Sequence, residues 1–317
     1  DVAATEAATS WATTVFEAAE TPAFDRGDAV NPLVGAAGDV PTWDEGSKDV
    51  LRSQGFVPVD ERTVAHDDDR SPGAMLRTTP TLGAVAAGRT LDREHVVDGQ
   101  RREFAVDLVD ALATGGNLAV VGPPGAGKST VCKAAACRWR ERGNGPVCYR
   151  ESDSAAVLDD PLRLAASLDD APGTPLVVVE DAVRPAANAV FEVLEQADDV
   201  AFLFDARQSE WSSPPEPLDP RRESLRRSGV ETVQVPDLDD QERTRLHDHV
   251  ASIVDGPIPP LEEFVDDEDL PGDSWATPQS TGSDGAGELL TLAHRYGNAA
   301  DIAVEGDRRT ASPLSRN

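Results

Sequence analysis

Residues 118–130 read Leu-Ala-Val-Val-Gly-Pro-Pro-Gly-Ala-Gly-Lys-Ser-Thr, and the fold follows from how that stretch must behave. Its first four residues form a short apolar run bounded by turn formers, the pattern of a buried strand. Gly122, Gly125 and Gly127 then permit a tight turn and a close approach of backbone to a ligand. Beyond Lys128, the residues Val131, Ala135 and Trp139 stand four apart and share one face of a helix, which Gly143-Asn-Gly145 stops. Strand, glycine turn and helix in that order bring N–H groups to a helix N-terminus, where the macrodipole favours an anion. The spacing Gly-x-x-x-x-Gly-Lys-Ser at 122–129 fits a phosphate-binding loop, the Walker A pattern, in full.

The roles within the loop follow from chemistry. Lys128 is expected to reach the β- and γ-phosphates of a nucleoside triphosphate, and the Ser129 hydroxyl to ligate Mg²⁺. The Thr130 N–H and hydroxyl are placed for the α-phosphate. Gly122, Gly125, Ala126 and Gly127 contribute backbone, whereas Pro123 and Pro124 lack an N–H and stiffen the first half of the loop. The expected cofactors are ATP and Mg²⁺. A glycine-rich turn that matches by chance is the plainer alternative, and the strand before and helix after the loop argue against it.

Outward from the loop, short apolar runs alternate with segments of helical length. Strands are expected at 117–121, 145–150, 175–179, 200–205 and 231–235, and helices at 100–112, 128–142, 159–168 and 185–196. Such alternation implies an α/β fold: a three-layer α/β/α sandwich around a five-stranded parallel sheet covered on both faces. Residues 91–236 form the expected nucleotide-binding domain. Residues 237–303 follow as a helical region, with an amphipathic helix at 239–254, a Pro/Gly-rich acidic loop at 257–284 and a short helix at 287–296. Residues 1–90 carry weak signals, chiefly a helix at 3–20 and another at 47–54, and 304–317 read as a disordered tail.

Two further strand ends carry chemistry. Residues 176–181, Leu-Val-Val-Val-Glu-Asp, end an apolar run in two carboxylates, the Walker B arrangement that sets a carboxylate beside Mg²⁺. Glu180 holds the place usual for Asp, so it would act more naturally through water. Asp181 is placed to polarise an attacking water or to share the metal role. The next strand carries Arg207 to the same edge, where a guanidinium can sense a γ-phosphate, with Asp205 positioned to orient it. An acidic strand end and a surface arginine are the ordinary alternatives in so charged a chain.

The bulk composition bounds the rest. The chain has 58 acidic against 29 basic residues, a net charge of −29, and its only lysines are Lys48, Lys128 and Lys133. Dispersed carboxylates read as a solvated face, and the alternative is an acidic surface for a basic partner. The absence of a basic patch excludes strong unspecific nucleic-acid binding, so no nucleic-acid partner is indicated. Cys132, Cys137 and Cys148 have no metal-ligand spacing and read as buried thiols. No apolar run approaches the ~20 residues of a membrane span, so no membrane partner is expected and a cytoplasmic location is the default.

Taken together, Arg93-Glu94, the run Gly-Pro-Pro-Gly-Ala-Gly-Lys-Ser-Thr at 122–130, Val-Val-Val-Glu-Asp at 177–181 and Asp-Ala-Arg-Gln-Ser-Glu-Trp at 205–211 resemble the STAND branch of P-loop ATPases, relatives of the AAA+ group. Val-Pro-Asp-Leu at 235–238 and the helix after it are similar to that family's entry into a small helical lid. The acidic, lysine-poor surface resembles that of proteins from extreme halophiles. The family resemblance covers about residues 91–256. It implies an ATP-loaded "on" and ADP-bound "off" switch reset by slow hydrolysis, with protein partners or self-association through the nucleotide-binding domain. The chain departs from the pattern at Glu180 and in the short, broken region after Gly256. Two other readings stay open: a small-molecule or nucleotide kinase, with Arg221, Arg222, Arg226 and Arg227 as lid arginines, and a scaffold that holds ATP without turnover.

Overall fold

The computed structural model describes residues 40–65, 70 and 72–253. The helices expected at 3–20 and 287–296, the loop at 257–284 and the tail lie outside those residues. In chain order the elements are α1 (Glu45–Ser53), β1 (Val57–Pro58), α2 (Glu61–Ala65), α3 (Pro72–Arg77), α4 (Leu82–Ala86), β2 (Glu94–Val97) and β3 (Gln100–Glu103). There follow α5 (Phe104–Ala113), β4 (Leu118–Gly122), α6 (Lys128–Glu141), β5 (Val147–Arg150), α7 (Pro161–Asp169), β6 (Leu176–Glu180) and α8 (Val190–Gln196). The last are β7 (Ala201–Arg207), α9 (Gln208–Ser212), α10 (Pro220–Gly229), β8 (Glu231–Gln234) and α11 (Asp240–Ile253).

The main sheet has the order β1-β5-β6-β7-β4-β8. Five strands, β4 to β8, are parallel, as the alternation of apolar runs requires. The sheet has six strands rather than five, because the two-residue β1 adds antiparallel to the edge of β5. A strand so short, containing a proline and an exposed Val57, leaves no periodic trace in sequence. The helix expected from residue 100 begins only at Phe104, and residues 94–103 form a hairpin instead. Its two-residue turn is Asp98-Gly99, both with positive φ (51° and 77°), the Asp-Gly pair that a tight hairpin turn favours.

Side chains alternate across the sheet. Leu118 and Val120, Leu176 and Val178, and Ala201 and Leu203 enter one core with α4, α5 and α6. Ala119 and Val121, Val177 and Val179, and Phe202 and Phe204 enter the other with α1, α7, α8 and α9. Both faces are thus buried, which is why these strands read as continuous apolar runs. The connection leaving β4 crosses one face, and those leaving β5 and β6 cross the other. Connections that diverge in this way open a crevice at the carboxyl end of β4, where ligands of open α/β sheets sit.

Residues 40–60 belong to this body. The Trp43 indole donates to the Val147 carbonyl at 2.9 Å, and the Val59 N–H donates to the same oxygen at 2.8 Å. Arg150, at the end of β5, is buried and donates to the carbonyls of Gln54, Ala156 and Ala186. Gly55 makes that possible: its φ is +82°, and a Cβ there would lie 1.9 Å from Arg150 Nη1 and 2.5 Å from Ser154 Oγ. Gly88 also has positive φ (+68°) but open space around it. Gly88→Ala is therefore expected to lose only the backbone preference, about 1 kcal/mol at the low end of the range for a non-glycine residue there. Gly55→Ala adds the expulsion of Arg150 and should unfold at clearly lower urea than Gly88→Ala; equal midpoints would contradict the close packing at Gly55.

Candidate functional site

The loop leaves β4 at Gly122 and turns through Pro123 and Pro124, where the Ala126 N–H closes on the Pro123 carbonyl at 3.3 Å. Gly125 and Gly127 have φ of 76° and 88°, a region that side chains with a Cβ rarely adopt. Gly127 is the N-cap of α6, whose first residues are Lys128, Ser129 and Thr130. The N–H groups at that end have no partner within the helix and are free for an anion. Lys128 is buried, and its ammonium folds back to donate to the Pro123 carbonyl at 3.0 Å. One of its three donors is used there, and the charge stays over the loop.

Arg93 holds the loop from outside. It donates to the Ala126 carbonyl at 2.6 Å, to the Pro236 carbonyl at 2.6 Å, and to Glu242 Oε1 on α11 at 2.9 Å. Arg93 and Glu242 are both buried, and such a pair is kept only where geometry and further hydrogen bonds complete it. The loop and α11 are thereby joined through one guanidinium. Sequence reasoning singled out Arg93 for its likeness to a family motif, but nothing in the sequence pointed to Glu242.

The carboxylates divide between two strands. Register pairs Glu180 on β6 with Asp205 on β7, and Asp205 with Val120 on β4. Asp205 does not orient Arg207 as expected; its Oδ2 accepts from Ser129 Oγ at 2.6 Å. Arg207 is half-exposed and pairs with Glu210 at 3.6 Å. Burial pushes the Asp205 carboxyl up to about 6, against the pull of Lys128 and the Ser129 hydrogen bond and with a further push from Glu180 and Asp181.

Glu180 is buried and engaged on both oxygens. Oε1 accepts from the Tyr149 hydroxyl at 2.7 Å and lies 3.6 Å from Lys133 Nζ; Oε2 accepts from the Ser152 N–H at 3.1 Å. Burial, then the Glu180 charge, keeps the Tyr149 phenol protonated by raising its pKa. Lys133 also donates to the Pro80 carbonyl at 3.0 Å and pairs with Glu151 at 3.0 Å. Asp181 takes a left-handed backbone (φ 49°), and burial raises its carboxyl while Arg184, 3.3 Å away, pulls it down. Among the described residues no three His, Cys, Asp or Glu side chains form a metal cage. A phosphate-bound Mg²⁺ needs none, since one or two protein oxygens, phosphates and water complete its shell. The Ser129 hydroxyl with a carboxylate behind it fits that donor set.

Beside the loop lies a cavity of about 380 Å³. Gly125, Gly127, Lys128, Ser129 and Thr130 form one end, and Met75, Leu91, Leu246 and Ile253 give it apolar walls. His249 of α11 also lines it, and its Nε2 is buried with no hydrogen-bond partner. A phosphate-facing end joined to an apolar chamber with a spare polar group is the form of a nucleotide seat. No helix among the described residues is long and apolar enough to cross a membrane.

Residues 78–218 match the family described as Novel STAND NTPase 5. No curated protein matches the chain. Among solved structures, similarity is found to AMPPCP-bound DnaA from Aquifex aeolicus, at 13% identity over 51% of this chain and 54% of that one, with a TM-score of 0.36. A DNA replication initiation factor matches at 15% identity over 65% and 63%, TM-score 0.36. PCH-2 from C. elegans matches at 16% identity over 67% and 62%, TM-score 0.32. This chain therefore spans less than two thirds of each of those chains. The segment that is similar to the STAND NTPase family, residues 78–218, contains the phosphate-binding loop, the acidic end of β6 and the Arg207 strand.

Proposed function

We propose that this chain binds ATP with Mg²⁺ at residues 122–130 and hydrolyses it slowly, as a nucleotide-controlled regulatory switch. The observation that carries the reading is the Lys128 ammonium and the open N-terminus of α6 set at one end of an apolar cavity, with the Ser129–Asp205 contact beside them. In this reading Gly122, Pro123, Pro124, Gly125, Ala126 and Gly127 wrap the phosphates, Lys128 neutralises the β- and γ-oxygens, and Thr130 meets the α-phosphate. Asp181 accepts a proton from the attacking water, and Arg207 approaches the γ-phosphate once it leaves Glu210. Mg²⁺, when bound, supplies positive charge against the phosphates beside Ser129. The base and sugar occupy the apolar chamber, where His249 Nε2 finds its partner.

The switch rests on Arg93, which ties the Ala126 carbonyl of the loop to Glu242 of α11. A change in the loop on nucleotide exchange is then felt in α11, and a partner protein or second copy reads that change. A kinase would need free arginines to close on phosphates. Those of α10 are engaged elsewhere: Arg221 and Arg222 by Glu195 and Glu192, Arg226 by Glu223 and the Trp211 carbonyl, and Arg227 by Glu223. We also read the chain as cytoplasmic, with a carboxylate surface suited to molar salt.

Three measurements in molar KCl test this reading. Lys128→Ala should lower affinity for a fluorescent ATP analogue by roughly 10–100-fold, the worth of charge-assisted hydrogen bonds. Unchanged affinity would remove the central claim, and ADP formation that depends on an added acceptor would favour the kinase. His249→Ala should weaken the same analogue by roughly 2–10-fold, as loss of one neutral hydrogen bond does, with affinity for inorganic triphosphate unchanged. Equal loss for both ligands would place His249 at the phosphates instead. In the wild-type protein, amide exchange in α11 should differ between ATP and ADP, and Glu242→Gln should collapse that difference; a difference that persists would break the link through Arg93.

A further inference from the structure

The carboxylate that the strand pattern singles out for the metal, Glu180, is held elsewhere. Both of its oxygens accept hydrogen bonds, from the Tyr149 hydroxyl at 2.7 Å and the Ser152 N–H at 3.1 Å, with Lys133 Nζ at 3.6 Å. Its strand, β6, is two places from β4 in the sheet. The strand between them is β7, and its Asp205, 3% exposed, is the carboxylate in contact with Ser129 Oγ at 2.6 Å. The contact is a short O–H···O⁻ bond, the strong, charge-assisted kind that fixes a hydroxyl's orientation.

We propose that Asp205, and not Glu180, is the protein carboxylate that acts with Ser129 on the Mg²⁺ of a bound nucleoside triphosphate. Glu180 is a positioning residue: it fixes Tyr149 and Lys133, and Lys133 in turn reaches the Pro80 carbonyl at the rim of the nucleotide cavity. The short Asp stands on the strand adjacent to the loop, and the long Glu stands one strand further out, where its reach serves a buried network. The inference rests on the nucleotide reading above, and the test separates the two.

Binding of a fluorescent ATP analogue is measured in molar KCl with EDTA and then across a Mg²⁺ titration, for the wild-type protein, Asp205→Asn and Glu180→Gln. Bound Mn²⁺ in the ternary complex is followed by electron paramagnetic resonance. Asp205→Asn should bind the metal-free analogue at least as tightly as the wild type, because a buried negative charge beside the phosphates is gone, but need roughly 10–100-fold more Mg²⁺ for its enhancement, the range seen when a residue orienting a metal ligand is lost. Its Mn²⁺ signal should weaken in parallel. Glu180→Gln should keep the wild-type Mg²⁺ midpoint and Mn²⁺ signal. Thermal unfolding of each variant, with Asp205→Glu as a second substitution retaining charge, separates a lost metal contact from a lost fold. Asp205→Glu should recover part of the Mg²⁺ response. The proposal is overturned if Glu180→Gln shifts the midpoint as far as Asp205→Asn does, or if Asp205→Asn leaves it unmoved. A wild-type chain that binds no analogue at any Mg²⁺ concentration would instead sink the nucleotide reading, and this assignment with it.

Discussion

Two buried lysines hold together a site that would otherwise be carboxylates packed at one sheet edge. The chain has three lysines in all, and Lys128 and Lys133 both lie on α6, buried among Glu180, Asp205 and Glu151. Burial there lowers the effective dielectric, so each charge weighs far more than it would at the surface. Lys133 answers Glu180 from below the loop, and Lys128 answers Asp205 from within it. Burial raises the Asp205 carboxyl even so, against the pull of Lys128 and the Ser129 hydrogen bond.

The contrast with the surface is physical. Ion pairs such as Arg221–Glu195 and Arg52–Asp49 lie in water, where each contributes little and salt screens it. Arg93–Glu242 and the Lys133 network are sheltered from that screening. The arginine-for-lysine bias fits the same division: guanidinium forks bind carbonyls and carboxylates at fixed angles, as Arg93 and Arg150 do.

The sequence was legible where burial leaves a period and silent where contacts cross it. β4, β5, β6 and β7 were readable because strands covered on both faces must be largely apolar, while the edge strand β8 and the residue after it showed only Val233 and Val235. The loop was readable because glycines at fixed offsets have a conformational reason, borne by the φ of Gly125 and Gly127. α10 was not, since half of Pro220–Gly229 is charged and Leu225 is its one large apolar residue; only Asp219 before Pro220 marks its start. The Asp98-Gly99 turn was present in the sequence but masked by the helical spacing that runs from Phe104. Asp205 was misread for another reason. Its neighbour along the chain is Arg207, whereas its neighbour in space, Ser129, depends on strand order, which no local pattern encodes.

Strand order also explains why the position after the loop strand's partner matters so much. In a sheet ordered β6-β7-β4, a side chain at the end of β7 is the first to meet the hydroxyl at the start of α6, and one at the end of β6 must reach across it. The carboxylate bonded to the Ser129 hydroxyl is accordingly the one on β7, Asp205. With Asp205 in place, Glu180 gains more from the Tyr149 hydroxyl and Ser152 N–H than from a site already held by negative charge. Two carboxylates in direct contact with one hydroxyl would repel each other in a dry setting, so occupation of one strand end decides the role of the other. Residue identity at 205 and at 180 is for that reason a single choice made across two strands, and neither can be assigned from its own motif alone.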